Sequence, residues 1–274
     1  MHALITGGGV GIGRGIALAL ARRGVNVALC GRRTQPLQRV AAEAAALGVA
    51  ALAVPADVTA ATARAELLAA VHAAWGPLDI LVNNAGVLAG GALAMQTSSQ
   101  VAQAILTNLL APIELTRLAW PDLQAQRGRL IFIGSSLSFV PQPFATLYTA
   151  SKMGLRGFVE ALRYEAEPSG VQIMIAYPPA VRTAMTAGMA AAAGAPGFRL
   201  LAPEAAGERI VRALFRGQRE VAWGLAEQTL RRLFTLTPGL VRRGLTSQRG
   251  RWQRMMSEAG QTVDAPSGGP DERD

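Results

Sequence analysis

The chain has 274 residues, of which 50% are hydrophobic and 16% are charged. This length and composition predict a single globular domain with a substantial core and exclude a disordered chain. One cysteine, Cys30, excludes an intramolecular disulfide, and no apolar run reaches the about 18 residues of a membrane span. Because a glycine-rich loop follows Met1 within a few residues, there is no space for a signal peptide, and we expect a cytoplasmic protein.

The net charge of +9 raises the question of nucleic-acid binding. Most of the excess is C-terminal, where nine arginines and only two glutamates lie between Arg216 and Arg254. No helix-turn-helix, zinc-finger or RNA-binding motif accompanies these arginines. We therefore expect a solvated basic face and no nucleic-acid partner. No metal site is predicted.

Short apolar runs alternate with helix-length, alanine-rich segments through the first 180 residues. The predicted strands have the sequences HALIT, VNVALC, ALAVPAD, LDILVNNAG, RLIFIGSS and VQIMIAYPP. The predicted helices are Arg14–Arg23, Leu37–Leu47, Thr62–Ala74, Val101–Leu118 and Ala150–Glu165. Strands that are apolar on both faces predict an α/β fold in which helices cover both faces of a doubly wound, Rossmann-type parallel sheet. Ligands of such sheets bind at the carboxyl ends of the strands.

Three regions follow from this organisation. Residues 1–222 are predicted to form the nucleotide-binding and catalytic domain, without a second domain or an internal repeat. Residues 223–256 form a basic helical extension expected to pack on that domain. Residues 257–274 are polar and rich in glycine and proline, which predicts a disordered tail.

A glycine loop, Thr6–Gly13, connects the first strand to the first helix. Gly7 suits a tight turn, Gly11 lets a diphosphate approach the backbone, and Gly13 permits close packing of helix and strand. The helix N-terminus offers unpaired N–H groups to phosphates. A plain strand-to-helix turn would explain the glycines alone, but their position after the first strand favours a phosphate site.

The loop has the pattern T-G-x-x-x-G-x-G, and it is followed by NNAG at Asn83–Gly86 and YTASK at Tyr148–Lys152. In this combination and order the chain resembles the short-chain dehydrogenase/reductase family over residues 3–222. The resemblance implies an oxidoreductase that acts on CH–OH groups with a nicotinamide cofactor. The positions it assigns to cofactor binding are Gly7, Gly11, Ile12, Gly13, Arg32, Arg33, Asp57, Val58, Asn84, Ala85, Gly86, Tyr148, Lys152, Pro178, Val181 and Thr183.

The end of the second strand predicts which nicotinamide cofactor is used. Gly31 stands where NAD-using relatives often carry an aspartate, and Arg32 and Arg33 follow. Guanidinium groups bind a 2′-phosphate, and no carboxylate is present to repel it. We therefore predict NADP, with NADPH favoured over NADH, although Val10 replaces the basic residue of many NADP-dependent relatives.

Lys152 is the only lysine in the chain, and it lies one helical turn after Tyr148. A nearby ammonium favours the phenolate, so we expect it to lower the pKa of Tyr148. In the family, the matching lysine also reaches ribose hydroxyls, the serine matching Ser135 holds the substrate oxygen, and the asparagine matching Asn108 holds a relay water. The predicted catalytic set is therefore Asn108, Ser135, Tyr148 and Lys152, with Tyr148 as general acid/base.

The substrate side is predicted to be apolar. The segment YPPAVRT matches the family's P-G-x-V-x-T, with Pro179 in place of glycine, and Ala184–Leu200 is a candidate lid. Phe139, Val140 and Phe144 follow Ser135 closely, although core packing explains any one of them equally well. We expect a small to medium hydrophobic carbonyl or alcohol as substrate.

Three alternatives are considered. A catalytically silent NADP-binding regulator would not need the complete catalytic set, and an epimerase of the extended relatives would have a different glycine loop. The third is a peripheral membrane-associated lipid or steroid reductase, because Trp223–Met256 carries apolar residues among its arginines. Packing of these helices on protein is the favoured explanation of that segment. The family resemblance also implies a homo-oligomer, a dimer or tetramer, through the Asn108 and Tyr148 helices.

Overall fold

The described part of the molecule is built on one parallel sheet. A computed structural model describes residues 1–187 and 200–261, and the strands within them lie in the order β3-β2-β1-β4-β5-β6-β7. Every neighbouring pair is parallel. The strands are β1 His2–Thr6, β2 Asn26–Gly31, β3 Ala51–Pro55, β4 Ile80–Asn83, β5 Arg129–Ile133, β6 Gln172–Tyr177 and β7 Glu220–Ala222. The predicted doubly wound fold is confirmed.

Helices cover both faces of the sheet. Those of the main domain are α1 Gly11–Ala21, α2 Thr34–Ala45, α3 Ala61–Trp75, α4 Ser98–Ile105, α5 Ala111–Ala125, α6 Thr146–Ala166 and α7 Pro203–Phe215. Buried side chains of α1, α2 and α7 pack on one face, and those of α3, α5 and α6 pack on the other. Along β1, Ala3 and Ile5 belong to the first core while Leu4 belongs to the second. This alternation of apolar residues explains why the strands read as continuous hydrophobic runs.

Glycines hold α1 against α7. A Cβ atom on Gly207 would lie 2.1 Å from the carbonyl carbon of Gly15, and one on Gly15 would lie 2.2 Å from the carbonyl oxygen of Pro203. The Arg14 guanidinium then reaches the Glu204 carboxylate at 2.7 Å. Any larger residue at either glycine would push α1 away, and the loop that precedes α1 would move with it.

The chain after β7 forms three further helices: α8 Leu225–Leu236, α9 Pro238–Ser247 and α10 Arg249–Gln261. Helix α10 therefore continues five residues into the predicted disordered tail, and residues 262–274 lie outside the described part. Within that part, no helix is both long enough and apolar enough to cross a bilayer.

Two local features differ from the sequence expectations. The predicted helix Val101–Leu118 is interrupted by a π-helical segment, Leu106–Leu110, between α4 and α5. Strand β7 was not among the predicted strands, because its three residues are too few to show a periodic pattern.

Candidate active site

The glycine loop is shaped by close backbone approach. Gly7 and Gly11 have φ angles of 65° and 57°, in the left-handed region that L side chains rarely adopt. A Cβ atom on Gly13 would lie 2.1 Å from the carbonyl oxygen of Gly7. Helix α1 begins at Gly11, so its first N–H groups face the loop. These features fit a cradle for a diphosphate.

The end of β4 is hydrogen-bonded to this loop. The side-chain amide of Asn84 donates to the carbonyl oxygens of Thr6 at 2.8 Å and of Gly7 at 3.2 Å. The Thr6 hydroxyl accepts from the main-chain N–H groups of Asn84 and Ala85, each at 3.0 Å. Gly86 follows, where a Cβ would lie 3.2 Å from the Asn108 side-chain oxygen. The two motifs thus form one rigid border of the site.

At the other end of the loop, the segment after β6 closes on α1. A Cβ atom on Gly11 would lie 2.8 Å from the Thr183 methyl group. Val181 and Pro178 are buried, and Ile12 packs against the core. The predicted lid, Ala184–Leu200, falls largely on residues 188–199, which lie outside the described part.

The carboxyl ends of β2 and β3 carry the predicted adenosine-binding residues. Arg32 and Arg33 are exposed and form no ion pair with any carboxylate among the described residues. The Asp57 carboxylate accepts hydrogen bonds from the main-chain N–H and the hydroxyl of Thr59, and Val58 beside it is buried. The two guanidinium groups are therefore available to a phosphate.

Tyr148, on α6, meets Ser135 at the end of β5. The Tyr148 phenol lies near the Ser135 hydroxyl, whose hydrogen bonding acts to lower the pKa of Tyr148. Ser135 also accepts a hydrogen bond from the N–H of Leu137 at 3.3 Å, while the nearby hydroxyl of Ser138 accepts from the N–H of Ser135. Ser136 instead lines a separate cavity of about 50 Å³ with residues of α8. Among these three serines, only Ser135 is near enough to act on the pKa of Tyr148, which singles it out.

Lys152 is buried one turn further along α6. Its side chain is 4% exposed, and its ammonium lies 5.6 Å from the centre of the Tyr148 ring. The ammonium donates a hydrogen bond to the carbonyl oxygen of Ile133 at 2.8 Å. This bond ties α6 to the last residue of β5, two residues before Ser135.

Asn108 lies in the π-helical segment and is fully buried. Its amide is bonded on both sides to the backbone of Val87: the oxygen accepts from the N–H at 2.8 Å, and the nitrogen donates to the carbonyl oxygen at 2.9 Å. The nitrogen also donates to the Ser151 hydroxyl at 3.1 Å. A water held by Asn108 stays a prediction; the bonds observed link α6 to the loop after β4.

Comparison with known proteins agrees with this geometry. The family model for short chain dehydrogenases matches residues 1–193. The chain belongs to the short-chain dehydrogenase family. An uncharacterized oxidoreductase of Myxococcus xanthus is 36% identical over 231 residues, which make up 83% of this chain and 89% of the relative.

Two further relatives are reductases of keto groups by name. The ketoacyl reductase HetN of Nostoc sp. is 35% identical over 185 residues, 67% of this chain and 64% of that protein. A solved structure of an actinorhodin polyketide ketoreductase variant with NADPH matches with a TM-score of 0.74 and 28% identity, covering 80% of this chain and 94% of that one. This short-chain dehydrogenase is therefore an oxidoreductase.

The protonation of the tyrosine and lysine differs from the sequence expectation. Burial raises the pKa of Tyr148 to about 12, against which the hydrogen bond from Ser135 acts. Burial also lowers the pKa of Lys152 to about 8. The expected lowering of the Tyr148 pKa by Lys152 is thus absent, because the lysine loses its charge before the phenol would ionise. At neutral pH the phenol is protonated and ready to donate.

Helix α10 packs on the main domain, which was the favoured expectation, and places residues beside the candidate site that the sequence did not predict there. Met255 and Met256 are buried in a cluster with Leu137 and Ala145, and this cluster contacts Tyr148. Phe144 and Trp252 also pack on it. A membrane anchor built from the methionines and Trp252 is ruled out by this packing. Met255, Met256 and Trp252 contact residues that are more than 100 positions away in the sequence. The sequence could therefore show only their helical spacing.

The loop before α6 is held in an unusual conformation by the same packing. Phe144 has a φ of 61°, which is costly for a residue with a bulky side chain. Its carbonyl oxygen accepts a hydrogen bond from the N–H of Gly91 at 2.8 Å. A Cβ on the neighbouring Gly90 would lie 2.6 Å from the carbonyl oxygen of Met256. These contacts fix the wall that faces Tyr148.

The lowered pKa of Lys152 predicts a pH-dependent stability. Between pH 8 and pH 10.5 the unfolded chain keeps the lysine proton that the folded protein has lost. The free energy of unfolding should therefore gain up to about 3 kcal/mol from this group as pH rises through that window.

Chemical unfolding of the cofactor-free protein and of Lys152→Met across the window measures this contribution as the difference between the two. Burial also raises the pKa of Cys30 to about 12, which lowers stability at high pH, but equally in both proteins. A difference that does not change with pH would contradict the lowered lysine pKa.

Proposed function

We propose that the chain interconverts a carbonyl and an alcohol on a small to medium hydrophobic substrate, with NADP(H) as cofactor and Tyr148 as general acid/base. The observation that carries this proposal is the position of the Tyr148 phenol beside the Ser135 hydroxyl and the buried ammonium of Lys152. A silent cofactor-binding regulator could use the lysine to hold the ribose, but it would have no need of a phenol and a serine hydroxyl placed beside it.

The cofactor assignment is supported by the loop geometry and by the exposed arginines. Gly7, Gly11 and Gly13 would hold the diphosphate, and Arg32 and Arg33 would bind the 2′-phosphate. The presence of NADPH in the solved ketoreductase relative is in line with this choice. When bound, a nicotinamide cofactor supplies hydride for reduction or accepts it for oxidation.

In the direction of reduction, Tyr148 donates its proton to the carbonyl oxygen of the substrate. Ser135 donates a hydrogen bond to the same oxygen and stabilises the negative charge that develops there. Lys152 would then return a proton towards Tyr148 and would also hold the ribose hydroxyls of the cofactor. Burial raises the pKa of Tyr148 to about 12, so the phenol carries the proton that this step requires.

The substrate is expected to lie against the cluster that α10 forms with the active-site loop. Leu137, Ala145, Met255 and Met256 form a buried apolar cluster there, against which Phe144, Tyr148 and Trp252 pack. Methionine side chains adapt to irregular apolar ligands. Val140 is buried, and Phe139 packs edge-on against Tyr177, so these two residues support the loop. Homo-oligomerisation and a cytoplasmic location stay predictions.

Removal of the proton donor should abolish turnover. In Tyr148→Phe we expect kcat to fall by about 100- to 10,000-fold, because general acid catalysis is lost, while NADPH affinity stays nearly unchanged. NADPH oxidation with a panel of ketones and cofactor titration by fluorescence measure the two effects. Tyr164→Phe is the matched control, since Tyr164 is 81% exposed. Turnover near the original rate in Tyr148→Phe would refute the mechanism.

Cofactor preference should shift when the charge after β2 is changed. In the double variant Gly31→Asp with Arg32→Leu, the carboxylate repels a 2′-phosphate and a charge-assisted contact of about 1.5–3 kcal/mol is lost. A Cβ on Gly31 meets only a Leu37 methyl group at 3.5 Å, so the aspartate fits. The ratio of kcat/KM for NADPH and NADH should move towards NADH.

The control for this variant is Arg39→Leu, which removes an exposed arginine of α2. If the ratio is unchanged in the double variant, Arg33 or another group recognises the phosphate.

Shortening Met256 should widen the pocket. Its side chain is 1% exposed, and its replacement by alanine leaves space beside Tyr148. We expect kcat/KM for bulky ketones to rise about tenfold relative to small ketones, since each methylene in a pocket is worth about 1–3 kcal/mol. Met95→Ala, at a methionine that is 80% exposed, is the control. An unchanged size preference would place the substrate elsewhere.

A further inference from the structure

The outer surface of α8 and α9 combines exposed leucines with exposed arginines. Leu233, Leu236 and Leu240 are 45%, 78% and 69% exposed. Large apolar side chains at such exposure, next to one another along the chain, are typical of a binding surface. We define the basic leucine surface by six exposed residues: Arg232, Leu233, Leu236, Leu240, Arg242 and Arg243.

The inner sides of these helices already have partners within the protein. The Arg231 guanidinium lies 3.6 Å from the centre of the Phe139 ring and 3.2 Å from the Glu220 carboxylate. On α9, Val241 and Leu245 are half-buried, one helical turn apart. The contacts of Arg231 fix the orientation of α8, and the exposed leucines are not the ones used for packing on the domain.

Charge limits what can cover this surface. Residues 228–257 contain seven arginines and no acidic residue. A second copy of the chain would bring arginines against arginines, which is unfavourable. A nucleic acid would satisfy the arginines, but its phosphates would gain nothing from three leucines. An anionic bilayer satisfies both, because leucines enter the acyl boundary while arginines reach the headgroups.

We infer that the basic leucine surface binds the surface of an anionic membrane. The exposed leucines would insert shallowly, and Arg232, Arg242 and Arg243 would contact lipid phosphates and carboxylates. The interaction is peripheral, in keeping with helices too short and polar to span a bilayer.

The basic leucine surface is also close in sequence to the residues expected to contact the substrate. Only Gln248 separates α9 from α10, the helix that buries Met255 and Met256 beside Tyr148. A lipophilic substrate dissolved in the membrane would therefore be near the apolar cluster beside Tyr148. Membrane binding itself does not depend on the proposed reaction, since it is measured without turnover.

The full-length protein is tested by co-sedimentation with vesicles of phosphatidylcholine alone and of phosphatidylcholine with phosphatidylserine. We expect binding to the anionic vesicles only, weakening as salt screens the arginines. Arg242→Glu with Arg243→Glu should reduce partitioning by about tenfold or more. Arg22→Glu with Arg39→Glu makes the same change in net charge at exposed positions outside this surface and should bind like the original protein.

Variants of the exposed leucines distinguish binding to a membrane from binding to a polyanion such as a nucleic acid. Leu236→Ser with Leu240→Ser should weaken vesicle binding several-fold without changing retention on duplex DNA or heparin. Leu47→Ser with Leu93→Ser, at leucines exposed elsewhere, is the matched control. All four residues are exposed, so the fold should persist, which circular dichroism verifies.

Absence of binding to anionic vesicles at low salt would overturn the inference. It would also be overturned if the leucine variant bound vesicles as the original protein does, since the surface would then be a site for nucleic acid or another polyanion. If both arginine double variants lost vesicle binding to the same extent, the net charge of the protein, and not the basic leucine surface, would be responsible for that binding.

Discussion

The hydrogen bond from the buried ammonium of Lys152 to the carbonyl oxygen of Ile133 is the interaction on which the candidate site depends. It joins α6, which carries Tyr148, to the end of β5, which Ser135 follows by two residues. A buried cation destabilises the folded protein, as the lowered pKa of Lys152 shows. Its hydrogen bond nevertheless fixes the position of α6 relative to β5. Active sites often lower the stability of a protein in this way, because catalytic residues must be kept in fixed positions.

The parallel sheet makes this arrangement compact. The carboxyl ends of parallel strands meet at one edge, which brings the ends of β1, β4 and β5 together. At that edge, polar side chains bind backbone atoms of the next segment: Thr6 and Asn84 join β1 to β4, and Asn108 joins the loop after β4 to α6. The backbone is then rigid where a cofactor must be approached closely, and glycines remove the side chains that would stand in the way.

The arginine-rich C-terminal segment divides into two parts with different surroundings. Helix α10 turns inward, where Met255 and Met256 complete an apolar wall and help to hold Phe144 in a strained conformation. Helices α8 and α9 leave Leu233, Leu236 and Leu240 exposed together with Arg232, Arg242 and Arg243, whereas Arg231 packs on Phe139. One stretch of similar composition thus supplies both a buried apolar cluster beside Tyr148 and an outer surface, which its amphipathic pattern alone could not separate.

The sequence by itself determined what depends on short-range order. Six of the strands, the glycine loop and the one-turn spacing of Tyr148 and Lys152 could be predicted, because periodicity and motif spacing are local properties. Tertiary structure alone decided that Ser135 lies near the Tyr148 phenol, in which direction the Tyr148 pKa shifts, and that Asn108 lies in a π-helical segment. It also decided the place of Met256, whose backbone approaches Gly90 from far along the chain. These features arise from burial and from contacts between distant segments, and desolvation depends on the whole environment of a group, which no spacing of residues records.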